Sequence, residues 1–430
     1  MSQPADRPVP GGGAALRPLS KSETESPGEQ FRRVRETTTA LCATLAPEDT
    51  VVQSMADVSP TKWHLAHTSW FFENFLLSEH LPNYRLFNEK YNYLFNSYYF
   101  TVGAMHQRPR RGLLSRPTLK EIMNYRTHVD TAMQQLLKNE DPDIRFLLAL
   151  GLNHEQQHQE LILTDIKHVF SSSPLKPALR ELPVAPSPTP DPVSFIEFAG
   201  GIDEAGYDGA GFCFDNETPR HRTLLRSYAL ADRLVTNAEY REFVEDGAYA
   251  TATHWLSDGW STLQSQGWKH PLYWSEDLQQ EFSLSGMRDL DPGAPVCHLS
   301  LYEADAYARW AGARLPTEFE WEAAGAGLNV SGNLLDSGVM HPVAAPKSSE
   351  LKQMYGDTWE WTSSAYAAYP GFKPLAGSLG EYNGKFMCGQ AVLRGGSCVT
   401  PTDHIRASYR NFFYPQQRWQ FSGIRLAKDC

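Results

Sequence analysis

Two histidines four residues apart, in the run His154-Glu155-Gln156-Gln157-His158, constrain this chain more than any other feature. On a helix, residues i and i+4 lie on one face, one turn apart. Two imidazoles so placed suit a single metal ion. The same 3.6-residue period puts Leu147, Leu150, Leu161 and Asp165 on that side, so both rings belong to an inward stripe. Far upstream, Trp63, His67, Trp70 and Phe71 share one side of another predicted helix. Three imidazoles aimed into one core are costly to bury without partners, and a shared metal removes that cost. His64 falls toward the edge of its helix face, which makes it the weaker ligand candidate.

The chain has 430 residues, 41% of them hydrophobic, which predicts two domains rather than one core. A net charge of -11 points away from nucleic acid and anionic membrane as partners. No run reaches the ~20 apolar residues of a membrane span. Residues 1–27, rich in Pro, Gly and Ser without an apolar signal core, predict a disordered tail. Six scattered cysteines with no CxxC fit a reduced, cytoplasmic protein. Nothing in the chain sets an oligomeric state.

Residues 28–170 read as a four-helix bundle. Phe31, Val34, Thr38, Leu41, Cys42 and Leu45 recur at helical spacing. Ser59-Pro60 and Asp141-Pro142 are cap-plus-proline starts, and Pro117 to about Leu137 carries a third amphipathic run. The connection over 81–116 is long, aromatic and basic, and long connections in compact domains are usually functional. Residues 171–192 form a Ser/Pro linker. Beyond it, 193–430 is rich in Gly, Trp and Tyr with frequent turns. It predicts an irregular α+β domain with two good helices, near Asn237–Asp246 and Leu301–Ala311.

The metal chemistry stays open on these grounds. Three neutral imidazoles with open positions suit a zinc-bound water or a non-haem ferrous centre. His-Glu-x-x-His also matches a zinc hydrolase signature with Glu155 as general base. Against that, no further ligand follows at the downstream spacings such peptidases use. Glu155 also lies roughly 100° around the helix from His154.

The segments Asp57 to His67 and His154 to Glu160 resemble those of the ergothioneine-biosynthesis sulfoxide synthases. So does a C-terminal set of motifs: Pro219-Arg-His221, Val235 to Tyr240, Arg314 to Glu322, Gly356 to Trp361, Leu393 to Ser397 and Phe421 to Leu426. The resemblance covers about residues 30–430. It implies a DinB-like four-helix bundle fused to a formylglycine-generating-enzyme-like domain of C-type-lectin fold. It further implies an Fe(II)- and O2-dependent enzyme joining cysteine to C2 of the imidazole of N-α-trimethylhistidine (hercynine), with the sulfur emerging as a sulfoxide. By the family pattern the iron ligands are His67, His154 and His158.

Other roles follow from the same resemblance. Gln157 is expected to hydrogen-bond the substrate imidazole. Asn411 matches the residue at the trimethylhistidine carboxylate, and Phe412 takes a place where a ring can face the quaternary ammonium. Arg108, Arg110 and Arg111, with His106 and Arg116 nearby, supply candidates for the carboxylate of the sulfur donor. Two departures matter. Well-known members carry an aspartate at the position of Phe413, where it helps hold γ-glutamylcysteine. A phenyl ring cannot pair with an ammonium group, so free cysteine is the expected donor. Those members also carry a catalytic tyrosine where this chain aligns Leu379, three residues before Tyr382. Tyr98 and Tyr99, in the long crossover, are the candidates to replace it. The competing readings are a DinB-type zinc-dependent thiol transferase or hydrolase, a formylglycine-generating oxidase, and a lectin-like binding module. The oxidase needs a close cysteine pair that Cys388 and Cys398 do not make.

Overall fold

The computed structural model describes residues 25–139, 141–182 and 190–430. Helix α1 (Pro27–Leu41) opens on a capping box in which Ser26 and Glu29 satisfy each other's backbone N–H groups. The helix therefore begins at the edge of the expected tail, of which residues 1–24 lie outside the described residues. Helix α2 (Thr61–Phe72) runs on through a π-helical turn, Glu73–Leu77, into α3 (Ser78–His80). Pro60, not Ser59, takes its N-cap position. The crossover contributes a short α4 (Tyr91–Phe95). Helix α5 (Leu119–Leu136) starts at a Thr118/Glu121 capping box. Helix α6 (Pro142–Ser172) starts where Asp141 accepts the Asp143 N–H, with Pro142 first in the helix. It extends two residues into the expected linker, whose residues 183–189 lie outside the described residues.

Helices α1, α2, α5 and α6 form the N-terminal bundle. All twelve residues of α2 are buried, so it is the central helix and has no polar face. None of the helices among the described residues is long and apolar enough to cross a membrane.

The C-terminal half is built of short strands, short helices and loop. Strands β1 (Phe195–Phe198), β2 (Gly201–Ala205), β3 (His221–Leu225) and β4 (Tyr228–Ala231) precede α7 (Asn237–Glu245) and α8 (Ser257–Gln266). Then come β5 (Gln280–Ser283), β6 (Gly286–Asp289), α9 (Leu301–Trp310) and α10 (Glu318–Gly325). The chain ends with β7 (Trp359–Ala365), β8 (Ala391–Arg394), β9 (Asn411–Phe413), β10 (Ser422–Gly423) and β11 (Ala427–Asp429). One sheet has order β1-β4-β11, another β10-β7-β8-β9, and β2-β3 and β5-β6 are separate pairs. Helices α8 and α10 were not expected from the sequence.

The C-terminal motifs are largely scaffolding. Buried Arg394 bridges Glu318 at 2.9 Å and Glu322 at 2.8 Å. Arg410 pairs with Glu318 at 2.8 Å, and Arg425 with Glu360 at 2.8 Å. Such pairs hold loop-rich segments in register, because losing one partner strands a buried charge at a cost of about 3–5 kcal/mol.

Several side chains on α6 tie the halves together. Half-buried Glu160 accepts from Trp359 Nε1 at 2.7 Å, Ser397 Oγ at 2.8 Å and Thr400 Oγ1 at 2.7 Å. Lys167 Nζ reaches His298 Nε2 at 2.7 Å, and Trp419 Nε1 donates to Asp165 at 3.0 Å. The helix that carries two of the histidines is thus also the seam between the domains.

Candidate metal centre

His67 from α2 and His154 and His158 from α6 converge, each offering a nitrogen within 4.8 Å of the others'. All three are buried. His67 Nδ1 donates to the Phe95 carbonyl at 2.6 Å, which leaves Nε2 as its lone-pair nitrogen. That Nε2 faces His154 Nε2 at 3.1 Å. His154 Nδ1 is buried with no hydrogen-bond partner. Burial lowers every ring's pKa. His154 falls to about 3, and His67 and His158 drop well below the usual range, each disfavoured further by its histidine neighbours. Neutral imidazoles with inward lone pairs and an orphaned nitrogen are what a metal ligand set requires.

His64 is the correction. It is 2% exposed, not at an edge, because α2 is buried on every side. Its Nδ1 lies 2.8 Å from His158 Nδ1, and its Nε2 lies 3.0 Å from Asp165 Oδ2. Asp165 also accepts from the Ser59 backbone N–H at 2.7 Å.

Glu155 points away from this cluster. Its carboxylate pairs with Arg35 at 2.9 Å and Arg126 at 3.1 Å, all three groups buried. Burial alone would raise its pKa, but the two guanidinium groups outweigh it and hold the carboxyl at about 2. A residue so engaged between α1, α5 and α6 is a strut, not a general base.

The three crossover arginines separate sharply. Arg108 and Arg110 are exposed, and Arg108 donates to the Asp57 carbonyl. Arg111 is buried, with its guanidinium carbon 3.3 Å from the centroid of the Trp63 ring. It donates to Ser59 Oγ at 2.9 Å and Ser97 Oγ at 3.1 Å. Its Nε has no partner, and no carboxylate among the described residues pairs with it. Burial, with Arg108 nearby, pushes its pKa well down.

Tyr99 is fully buried and its hydroxyl has no hydrogen-bond partner. Its ring lies 5.7 Å from Trp70, which stacks on His67 at 5.4 Å. Tyr98 packs 4.8 Å from Tyr99 and 6.1 Å from Tyr382, and Tyr382 lies 5.8 Å from His154. Burial raises the pKa of both Tyr98 and Tyr99, so both are neutral phenols. Gln157 accepts from Tyr382 Oη and donates to Tyr409 Oη at 2.7 Å. Its second N–H and second carbonyl lone pair remain for a ligand.

Strand alternation sends Asn411 and Phe413 to one face of β9 and Phe412 to the other. Phe412 stacks on Tyr366 at 4.0 Å and approaches Phe386, whose ring is 5.3 Å from Tyr98. Phe413 meets Trp419 edge-on at 5.7 Å, on the side where Trp419 donates to Asp165. Asn411 Oδ1 accepts the Phe412 N–H at 2.9 Å. Tyr382, Tyr409 and Asp165 were not among the expected site residues, and His64 was expected only as the weaker ligand candidate. Asp165 carried a readable signal, since it continues the stripe of His154 and His158.

Residues 30–162 match the DinB superfamily, and residues 183–338 and 336–430 match the Sulfatase-modifying factor enzyme 1-like domain. The chain is 31% identical over 406 residues to the hercynine oxygenase of Mycolicibacterium thermoresistibile, covering 86% of this chain and 88% of that protein. It is 33% identical over 316 residues to the hercynine oxygenase of Mycobacterium tuberculosis, covering 67% of this chain and 73% of that protein. It is 25% identical over 301 residues to the formylglycine-generating enzyme of Bos taurus, covering 57% of this chain and 76% of that protein.

Proposed function

Because the chain belongs to the hercynine oxygenase family, we propose that it is a non-haem Fe(II) sulfoxide synthase. It couples cysteine to C2 of the hercynine imidazole. The observation that carries this reading is the buried three-histidine group, with a buried guanidinium near it whose Nε is unclaimed and which pairs with no carboxylate among the described residues. Overall, the imidazole C–H, the thiol S–H and O2 become a C–S bond, an S=O group and one water. Iron bound at His67, His154 and His158 would supply the one-electron and O2 chemistry that a thiol and an imidazole lack.

The chain's own residues then bind and orient. Arg111 has no internal carboxylate partner, so it suits the cysteine carboxylate better than the exposed Arg108 or Arg110. The spare donor and acceptor of Gln157 serve the substrate imidazole. Asn411 serves the hercynine carboxylate, and Phe412 the trimethylammonium. Phe413, apolar where an acid would hold an ammonium group, favours free cysteine over γ-glutamylcysteine. Tyr98 and Tyr99, neutral phenols one ring removed from the histidines through Tyr382 and Trp70, are the proton donors of the oxidative step. Engagement of Glu155 by Arg35 and Arg126 weighs against a zinc hydrolase or zinc-dependent thiol transferase using that carboxylate.

The test is anaerobic loading with Fe(II), then O2 with hercynine and cysteine, read by mass spectrometry. A product with a new C–S bond and one added oxygen supports the proposal. O2 uptake with cysteine alone indicates thiol dioxygenation. Retained zinc with no O2 uptake would reject the reading.

A further inference from the structure

We propose that His64 and Asp165 are positioning residues that select which nitrogen of His158 faces the metal. The inference rests on reading His67, His154 and His158 as metal ligands.

The argument follows from which atoms can donate. The Asp165 carboxylate already accepts the Ser59 N–H through Oδ2 and the Trp419 indole N–H through Oδ1. A carboxylate has no proton to give, so the His64 Nε2 at 3.0 Å must be the donor. A neutral His64 then has only a lone pair on Nδ1. The facing nitrogen, His158 Nδ1 at 2.8 Å, must carry the proton of that hydrogen bond. His158 Nε2 is left bare, the tautomer a metal ligand needs. The proton order is therefore fixed from the carboxylate inward: Asp165 accepts, His64 relays, His158 donates.

The three ligands are thereby held in three different ways. His67 is oriented by a backbone carbonyl, and His154 Nδ1 has no partner. Only His158 leans on an imidazole backed by a carboxylate. The carboxylate end is itself anchored by Trp419, so the C-terminal domain reaches the metal site without contributing a ligand.

The probe is Co(II) alone, titrated into the metal-free full-length protein and followed by its visible absorption, with thermal melts of each metal-free variant alongside. Wild type should bind one Co(II). His64→Leu and Asp165→Asn should each weaken binding about 10–100-fold and change the spectrum. His64→Gln, whose amide offers one acceptor and one donor, should stay within about threefold of wild type. A merely structural His64 would lower the metal-free melting temperature in both His64 variants and leave Co(II) affinity unchanged. Unchanged affinity and spectrum in His64→Leu would overturn the proposal. If that variant fails to fold, unchanged binding in Asp165→Asn overturns it instead. Failure of wild type to bind Co(II) would remove the ligand reading and this inference with it.

Discussion

The Arg111 guanidinium carbon lies over the Trp63 ring, 3.3 Å from its centroid, with its two terminal nitrogens bonded to two serines and Nε unclaimed. A buried cation without an anion is held at a cost that an incoming carboxylate relieves. Arg111→Met is expected to raise KM for cysteine at least tenfold and leave KM for hercynine unchanged. Its melting temperature should stay level or rise, because the stranded charge is gone. Steady-state kinetics with each substrate varied, plus a thermal melt, decide it. A lower melting temperature with normal kinetics would make Arg111 structural.

The buried Tyr99 hydroxyl makes no hydrogen bond of good geometry, and only the Tyr98 phenol interacts with it. Tyr99→Phe should therefore change stability by less than about 1 kcal/mol. If the phenols donate protons, Tyr98→Phe or Tyr99→Phe should cut kcat about 10²-fold or more and shift product from sulfoxide toward cysteine sulfinate. Unaltered turnover and product ratio in both variants would defeat the assignment.

Glu155 offers the opposite case. Glu155→Gln leaves Arg126 without a carboxylate in the bundle core and Arg35 with Asp130 alone, with an expected loss of about 3–5 kcal/mol in urea unfolding. A zinc hydrolase would behave differently, keeping its stability and losing only its chemistry. Equilibrium denaturation of the variant separates the two.

Acid should act on the metal-free protein through the histidines. His64, His67, His154 and His158 all have folded pKa values below the ordinary 6.5. Below that pH the unfolded chain takes up protons that the folded site refuses. Their contribution is complete above 6.5 and is lost as pH falls toward the value of about 3 for His154. Each fully depressed imidazole contributes about 1.4 kcal/mol per pH unit within that window. Metal-free melts from pH 8 to pH 5 should show a steepening fall, and a flat profile would count against the linkage.

Much of this was legible in the sequence where a period existed to be read. The His154/His158 spacing, the Asp141-Pro142 cap and the bundle followed by a sheet-containing domain all have local signatures. His64 was misplaced because α2, buried on every side, has no face from which to judge an edge. Helix α8 has no side-chain cap and buries only Gly259 and Leu263, so it offers no apolar stripe to read, and α10 has only eight residues, although its Thr317/Glu320 capping box is a local signal. The links from Gln157 to Tyr382 and Tyr409 span more than two hundred residues, and no local rule reports them. Arg394, Arg410 and Arg425 look solvated by residue type, but they are buried against glutamates far along the chain.

The stretch from His154 to Glu160 interleaves its duties residue by residue. His154 and His158 face the cluster, and Glu155 faces Arg35 and Arg126. Gln156 reaches Asp403, Gln157 reaches two tyrosines, and Glu160 locks the second domain. Adding or removing one residue turns everything beyond it by about 100°. Single substitutions here each damage one duty, whereas any change of length dephases all of them together. In a deletion scan this segment should stand out as an indel-free cassette, heritable only in one piece.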